Sequence, residues 1–162
     1  MKIYIGSDHA GFQAKEEVKG YLTESGHEVV DCGAFALNED DDYPDFVHPV
    51  AKAISDEPEA LGIIFGGNGQ GEAIVANRHK NVRAIVFYGV SIPKAAVDAR
   101  GSVSYDPYEI IRLGKRHDNA NVLSIGVRFT TRDEIKEAIR FFLDIQFLNE
   151  ERHIRRISKM EL

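Results

Sequence analysis

The stretch Leu61–Arg78, LGIIFGGNGQGEAIVANR, constrains this chain more than any other. An apolar, strand-like run from Leu61 to Phe65 enters a turn with glycine at positions 66, 67, 69 and 71, and apolar residues at helical spacing resume from Glu72. That is a strand, a flexible turn and a helix start. Glycines permit positive φ and close approach of backbone to a ligand, and the first amides of a helix have no internal partners. An anion or a developing oxyanion fits such a place, and Glu72 at the helix mouth is either a helix-end charge or a base facing the ligand. The turn is not a Walker loop, because no Gly-Lys-Ser/Thr follows, and Gly67-x-Gly69-x-Gly71 is not the dinucleotide spacing. Alone, it fits a plain structural turn as well as a ligand loop.

The rest of the chain repeats the strand-then-helix pattern. Lys2–Gly6 reads as a first strand, followed by the loop Ser7-Asp8-His9-Ala10-Gly11 and a helix carrying Phe12, Val18, Tyr21 and Leu22 that Ser25-Gly26 ends. His27–Asp31 reads as a second strand, and residues from Cys32 to Asp45 as an acidic loop whose carboxylates suit a solvated turn. A helix from about Phe46 to Ser55 leads to the third strand. A fourth strand (Val82–Tyr88), a helical region beginning near Pro93, a fifth strand (Asn121–Ile125) and a helix from about Arg132 to Phe147 follow. The connection Gly101–Lys115 is long, and Pro107 is placed to open a second helical piece within it. Alternation of this kind predicts a three-layer αβα sandwich, a doubly wound, Rossmann-like five-stranded parallel sheet in one domain spanning 1–162. Ligands bind such sheets at the carboxyl ends of the strands, so Asp8, His9 and the glycine loop converge on one edge.

Composition narrows the function classes. A net charge of -6 argues against general nucleic-acid or acidic-membrane binding, and Cys32 as the only cysteine excludes an internal disulfide. No apolar run approaches a membrane span and no secretory leader pattern precedes the first strand, so the expected compartment is the cytoplasm. The histidines at 9, 27, 48, 79, 117 and 153 are scattered without metal-ligand spacing, and no nicotinamide or flavin fingerprint is present; no metal and no cofactor are expected.

Several residues carry chemistry in more than one reading. Asp8-His9 at a strand end is an acid/base pair, or Asp8 caps a helix while His9 is solvated. His117, just before the fifth strand, is equally open. Arg152 and Arg156 are four apart, so on a helix they share a face and can grip a phosphate dianion; Arg155 and Lys159 pair on a neighbouring face, and a solvated basic helix paired with Glu150 and Glu151 is the alternative. The basic tail 149–162, with Ile154 and Ile157 as its few apolar residues, is too polar for core and is expected to pack on a neighbouring subunit.

Taken together and in order, Ser7-Asp8-His9-Ala10-Gly11, Asp42-Tyr43-Pro44, Gly66-Gly67-Asn68-Gly69-Gln70-Gly71-Glu72, Ala76-Asn77, His117-Asp118-Asn119 and Arg152-His153-x-x-Arg156 resemble the ribose-5-phosphate isomerase B family, which includes galactose-6-phosphate isomerase subunits. The resemblance covers almost the whole chain. It implies metal-free aldose–ketose isomerisation of a sugar phosphate through an enediolate, with ribose 5-phosphate and ribulose 5-phosphate of the pentose phosphate pathway as the leading pair. It also implies dimers, or a tetramer, whose sites are shared between subunits. One branch of the family places a cysteine base at the first loop position, which is Gly66 here; the other places a glutamate at the loop's end, matched by Glu72. The resemblance therefore assigns the proton-transferring base to Glu72. It assigns the enediolate donors to Asn68 and the amides of Gly69, Gln70 and Gly71 alongside Gly67, and ring opening to Asp8 and His117. His9, Arg128, Arg152 and Arg156 match phosphate ligands, and Tyr43 and Asp118 match sugar contacts. A helix start favours the Glu72 anion and loss of water disfavours it, so its charge state is open at this stage.

Three features depart from the family pattern. Asn68 stands where Ser or Thr is usual, Asp118 where Asn is common, and the connection from Tyr88 to Arg116 is longer by roughly eighteen residues, beyond an ordinary linker. They bear on substrate identity more than on reaction type, leaving a tetrose or hexose phosphate, or a sugar-phosphate-binding module without catalysis, as alternatives.

Overall fold

The sheet is buried on both faces, which explains why its strands read as apolar runs. A computed structural model describes residues 1–160; residues 161 and 162, the end of the expected 149–162 tail, lie outside the described residues. The strands β1 (Lys2–Ser7), β2 (Glu28–Asp31), β3 (Leu61–Gly66), β4 (Ala84–Phe87) and β5 (Val122–Gly126) are all parallel, in the order β2-β1-β3-β5-β4. Helices α1 (Phe12–Glu24), α4 (Glu109–Asp118) and α5 (Arg132–Asp144) cover one face, and α2 (Tyr43–Asp56) and α3 (Gln70–Ala76) the other. A short α6 (Glu151–Ile157) packs on α4.

Side-chain alternation along the strands divides the core in two. Ile3, Ile5, Ile63, Phe65, Leu123 and Ile125 point to α1, α4 and α5, whereas Tyr4, Ile64 and Val122 meet Val47, Val50, Ala51 and Ile54 of α2. Where backbones must close in, glycine is required. A Cβ on Gly11, at the start of α1, would come within 2.5 Å of the Cβ of Phe65, so this helix sits directly against the end of β3. Thr131 opens α5 with a capping box, its Oγ1 accepting from the Glu134 amide while the Glu134 carboxylate accepts from the Thr131 amide.

One expected element is absent. No helix begins near Pro93: the chain between β4 and α4 is irregular until Glu109, two residues past Pro107. Its apolar residues Val90, Ile92, Val103 and Tyr105 are exposed, so a helix here would have no buried face to sustain it. Local bonds shape the segment instead, with Asp98 accepting from the amides of Arg100 and Ser102 and from the Ser102 hydroxyl. At the far end α5 stops at Asp144 and not near Phe147, because Ile145 turns to extended backbone.

The first strand feeds β2 on one side and the chain returns to β3 on the other, so the strand order reverses between β1 and β3. A crevice opens at such a reversal, outside the carboxyl ends. Register carries Ser7 beside Phe65 and Gly66 beside Gly126, aligning the loops after β1, β3 and β5.

Lys115 shows the cost of closing α4 against α5. It is 7% exposed, donates to the Ala120 carbonyl at 3.1 Å and lies 4.6 Å from the centre of the Phe142 ring. Burial, with the Arg83 charge adding to it, pulls its pKa from 10.5 to about 8. Between those two values the unfolded chain holds the proton and the folded chain does not, so this group's contribution to stability rises with pH across that window. Lys115→Met is therefore expected to be more stable than wild type by roughly 2 kcal/mol near neutral pH. That advantage should shrink as the pH approaches 10.5, as checked by urea unfolding of both proteins across the range.

Candidate active site

The glycine loop holds Glu72 in a pocket that only glycine leaves open. Glu72 lies in the first turn of α3 and is 4% exposed. A Cβ on Gly66 would fall 1.7 Å from Glu72 Oε1, so the carboxyl occupies the volume where any other residue at 66 would put its side chain. Gly69 precedes α3 with φ +78, a left-handed conformation natural to glycine, and its carbonyl accepts from the buried Ser124 hydroxyl at 2.7 Å. The loop is further tied to β5's end by Val127 N–H donating to Gly66 O and Arg128 N–H to Gly67 O.

Burial pushes the Glu72 carboxyl above the ordinary glutamate value; its own helix-start amide pulls it partly back, and the Asp8 charge adds to the rise. Desolvation thus outweighs the helix start, which answers the question that the sequence leaves open. The carboxylate thereby has a raised affinity for a proton.

Other residues of the carboxyl edge gather around it. Asp8 is 7% exposed and its Oδ1 accepts from the Gly11 amide at 3.1 Å. His9 donates its backbone N–H to Asp41 Oδ1 at 3.0 Å, and its ring Nδ1 lies 2.7 Å from the same oxygen. The Tyr43 ring and hydroxyl lie against Gly71, where a Cβ would come within 2.9 Å of them. The Arg128 guanidinium lies over Gly67, 3.2 Å from where a Cβ would be, and its charge reaches His9.

Asn68 takes a different posture from the one expected. Its Oδ1 accepts from the Gln70 amide at 2.9 Å, so that amide is already engaged and the donor that Asn68 itself can offer is its side-chain NH₂. Gln70 is exposed and borders a cleft of about 720 Å³ along β4, lined also by Tyr88, Val90, Pro93 and Ile110.

His117, Asp118, Arg152 and Arg156 are not part of this cluster. His117 and Asp118 end α4 and lead into the amino end of β5, so the length of that strand, roughly 13 Å at 3.3 Å per residue, separates them from the carboxyl edge. The His117 ring stacks on His153 at 4.4 Å and 12°. His153 is 1% exposed and its Nδ1 has no partner; burial, then the neighbouring His117, holds its pKa below the ordinary histidine value. Arg152 is paired with Glu150 at 2.8 Å, while Arg156 is exposed.

Sequence reasoning missed Asp41, hidden in a run of carboxylates; its place two residues before Tyr43-Pro44 is the only signal. It also missed Ser7, whose buried Oγ has no partner at the end of β1. Asp8, His9 and Asp41 bring ligating atoms within 4.8 Å of one another, a closeness that the His9–Asp41 hydrogen bond accounts for. No helix among the described residues is long and apolar enough to cross a membrane.

In Gly66→Ala the added methyl takes the place of the carboxyl. The expected outcome is a folded protein within about 2 kcal/mol of wild type, in which the Glu72 carboxyl, driven toward water, shows a lower pKa in carbon-detected NMR titration. An unchanged pKa would show that the pocket relaxes around both groups.

A model of the Ribose/Galactose Isomerase family matches residues 3–102 and 99–160, two segments that meet inside the long β4–α4 connection. Over 158 residues the chain is 36% identical to ribose-5-phosphate isomerase B of Mycolicibacterium paratuberculosis, covering 98% of this chain and 88% of that relative. It is also 36% identical over 161 residues to the probable ribose-5-phosphate isomerase B of Mycoplasma genitalium, covering 99% and 93%. Among solved structures it is similar to the Mycoplasma genitalium ribose-5-phosphate isomerase B with bound ribulose-5-phosphate, with TM-score 0.83, 32% identity and coverage of 98% and 93%. The Thermotoga maritima ribose 5-phosphate isomerase gives TM-score 0.82, 33% identity and coverage of 99% and 97%.

Proposed function

The chain belongs to the Ribose/Galactose Isomerase family, and from that premise we propose that it interconverts ribose 5-phosphate and ribulose 5-phosphate through an enediolate. The observation that carries the reading is the buried Glu72 carboxyl seated over Gly66 beside the glycine loop. In the open-chain aldose this carboxylate takes the proton from C2 and returns it to C1, while a hydroxyl proton passes from O2 to O1, so the reaction balances without a redox partner. The Gly69 and Gly71 amides and the Asn68 side-chain NH₂ are the donors we assign to the enediolate oxygens. Arg128 and His9 would meet the phosphate, and Tyr43, against Gly71, the sugar.

The separation of His117, Asp118, Arg152 and Arg156 from Glu72 supports a site completed by a second copy of the chain. In this reading α4 and α6 of one subunit bring His117 and Asp8 of the other together for ring opening and add arginines to the phosphate, in a homodimer. A reducing compartment such as the cytoplasm suits a chain whose single cysteine is free.

Glu72→Gln is expected to keep the fold and lose turnover by about 10³ or more, read by proton NMR in D₂O as loss of both ketose formation and deuterium at C2. Because burial raises the Glu72 pKa, the acid limb of wild-type kcat/KM should sit above the ordinary carboxylate value of 4.5 and activity should be lost as pH falls through it.

The shared site has its own test. Glu72→Gln and His117→Ala homodimers should each be inactive, yet refolding an equal mixture should restore about a quarter of wild-type activity, since half the dimers carry one intact site of two. No recovery on mixing would place both residues in a site within a single chain.

A further inference from the structure

Five carboxylates crowd the loop before α2 and the first turn of that helix, at Glu39, Asp40, Asp41, Asp42 and Asp45, and four of them are exposed. Asp41 is the exception, with its side chain only 7% exposed. One of its oxygens receives two hydrogen bonds from the same residue, the His9 backbone N–H at 3.0 Å and the His9 ring at 2.7 Å, and the other is buried without a partner. Turning one acid of five inward costs desolvation, which a doubly made contact offsets.

The geometry points to Asp41 as a positioning residue: it fixes His9 with Nδ1–H donating to the carboxylate, so that the second proton of the cationic ring sits on Nε2 and meets the phosphate of the substrate. This rests on the reading of His9 as a phosphate ligand. A backbone amide and a ring nitrogen bonded to one carboxylate oxygen fix both the rotamer and the tautomer, since Nδ1 can approach that oxygen at 2.7 Å only as a donor. Nε2 is then the nitrogen that gains or loses a proton. The charged groups acting on the ring are Asp41 from the acidic loop, Asp8 from the end of β1 and Arg128 from the loop after β5. The Asp41 hydrogen bond raises the His9 pKa above 6.5, with Asp8 adding and burial and Arg128 opposing. A cationic His9 also cancels the charge of Asp41, which would otherwise repel a phosphate dianion from the same pocket.

The test compares wild type with Asp41→Asn and Asp41→Glu. In free protein, long-range ¹H–¹⁵N spectra, with the His9 signals assigned through His9→Gln, should show a neutral Nδ1–H tautomer in wild type. In Asp41→Asn a mixed tautomer and a lower His9 pKa are expected. With ribose 5-phosphate near neutral pH, KM should rise about tenfold in Asp41→Asn while kcat changes by less than about threefold. The KM ratio should fall toward one at acid pH, where His9 is protonated in both proteins, and Asp41→Glu should recover part of the loss. An unchanged tautomer and pKa, or a KM that stays level or falls, overturns the assignment; a falling KM would mean that Asp41 merely repels phosphate. Absence of wild-type turnover would instead defeat the isomerase reading, and the spectra of the free protein would still decide whether Asp41 governs His9.

Discussion

Parallel register between β1, β3 and β5 is the constraint on which the site depends. Because Ser7 pairs with Phe65 and Gly66 with Gly126, the chain leaves the sheet at one level three times, and the residues that follow meet without any long loop reaching across. A slip of one residue in β3 would send Ile63 and Phe65 to the wrong face and carry Glu72 off the end of β1 together with them. Core packing and site geometry are therefore specified by the same apolar alternation. The tight stacking of Gly11 on Phe65, and of Gly126 under the Asn68 carbonyl, leaves the register little room to drift.

The space over Gly66 also explains a division within the family resemblance. A branch that carries cysteine at this position would place its sulfur in the volume that the Glu72 carboxyl fills here. The two side chains compete for one volume, so glycine at 66 and the buried carboxyl of Glu72 go together here. A buried carboxyl next to Asp8 is also a better proton acceptor than an exposed one, which ties the packing of α3 against β3 directly to reactivity.

Much of this was legible in the sequence because it rests on local signals. Strand runs and glycine turns each lie within a few residues, and they give the layers, the parallel sheet and the edge where Asp8 and Glu72 meet. What was not legible depends on distance or on burial. The expected helix near Pro93 satisfies a local pattern, but Val90, Ile92 and Val103 find no surface to cover, and burial is a property of the whole fold. Asp41 looks like its neighbours until the fold turns it toward His9. The ordered motifs carried no sign that His117 stands a strand's length from Glu72 within one chain, since sequence order does not say which edge of a sheet a helix end will reach.

That separation gives the C-terminal helix its meaning. At seven residues α6 is far too short to persist on propensity alone, and its one buried side chain is His153. What anchors it is the stack of His153 on His117, with the edge of Phe147 against the same ring and the Leu148 amide bonded to the Arg116 carbonyl. Each of these contacts is made to the end of α4 or to the segment that precedes α6. The helix carrying Arg152 and Arg156 is therefore held to the end of α4 through the ring of His117. Burial, with the neighbouring His117 adding to it, disfavours the charged form of His153, so the ring that anchors α6 is kept neutral and no buried charge sits inside the stack.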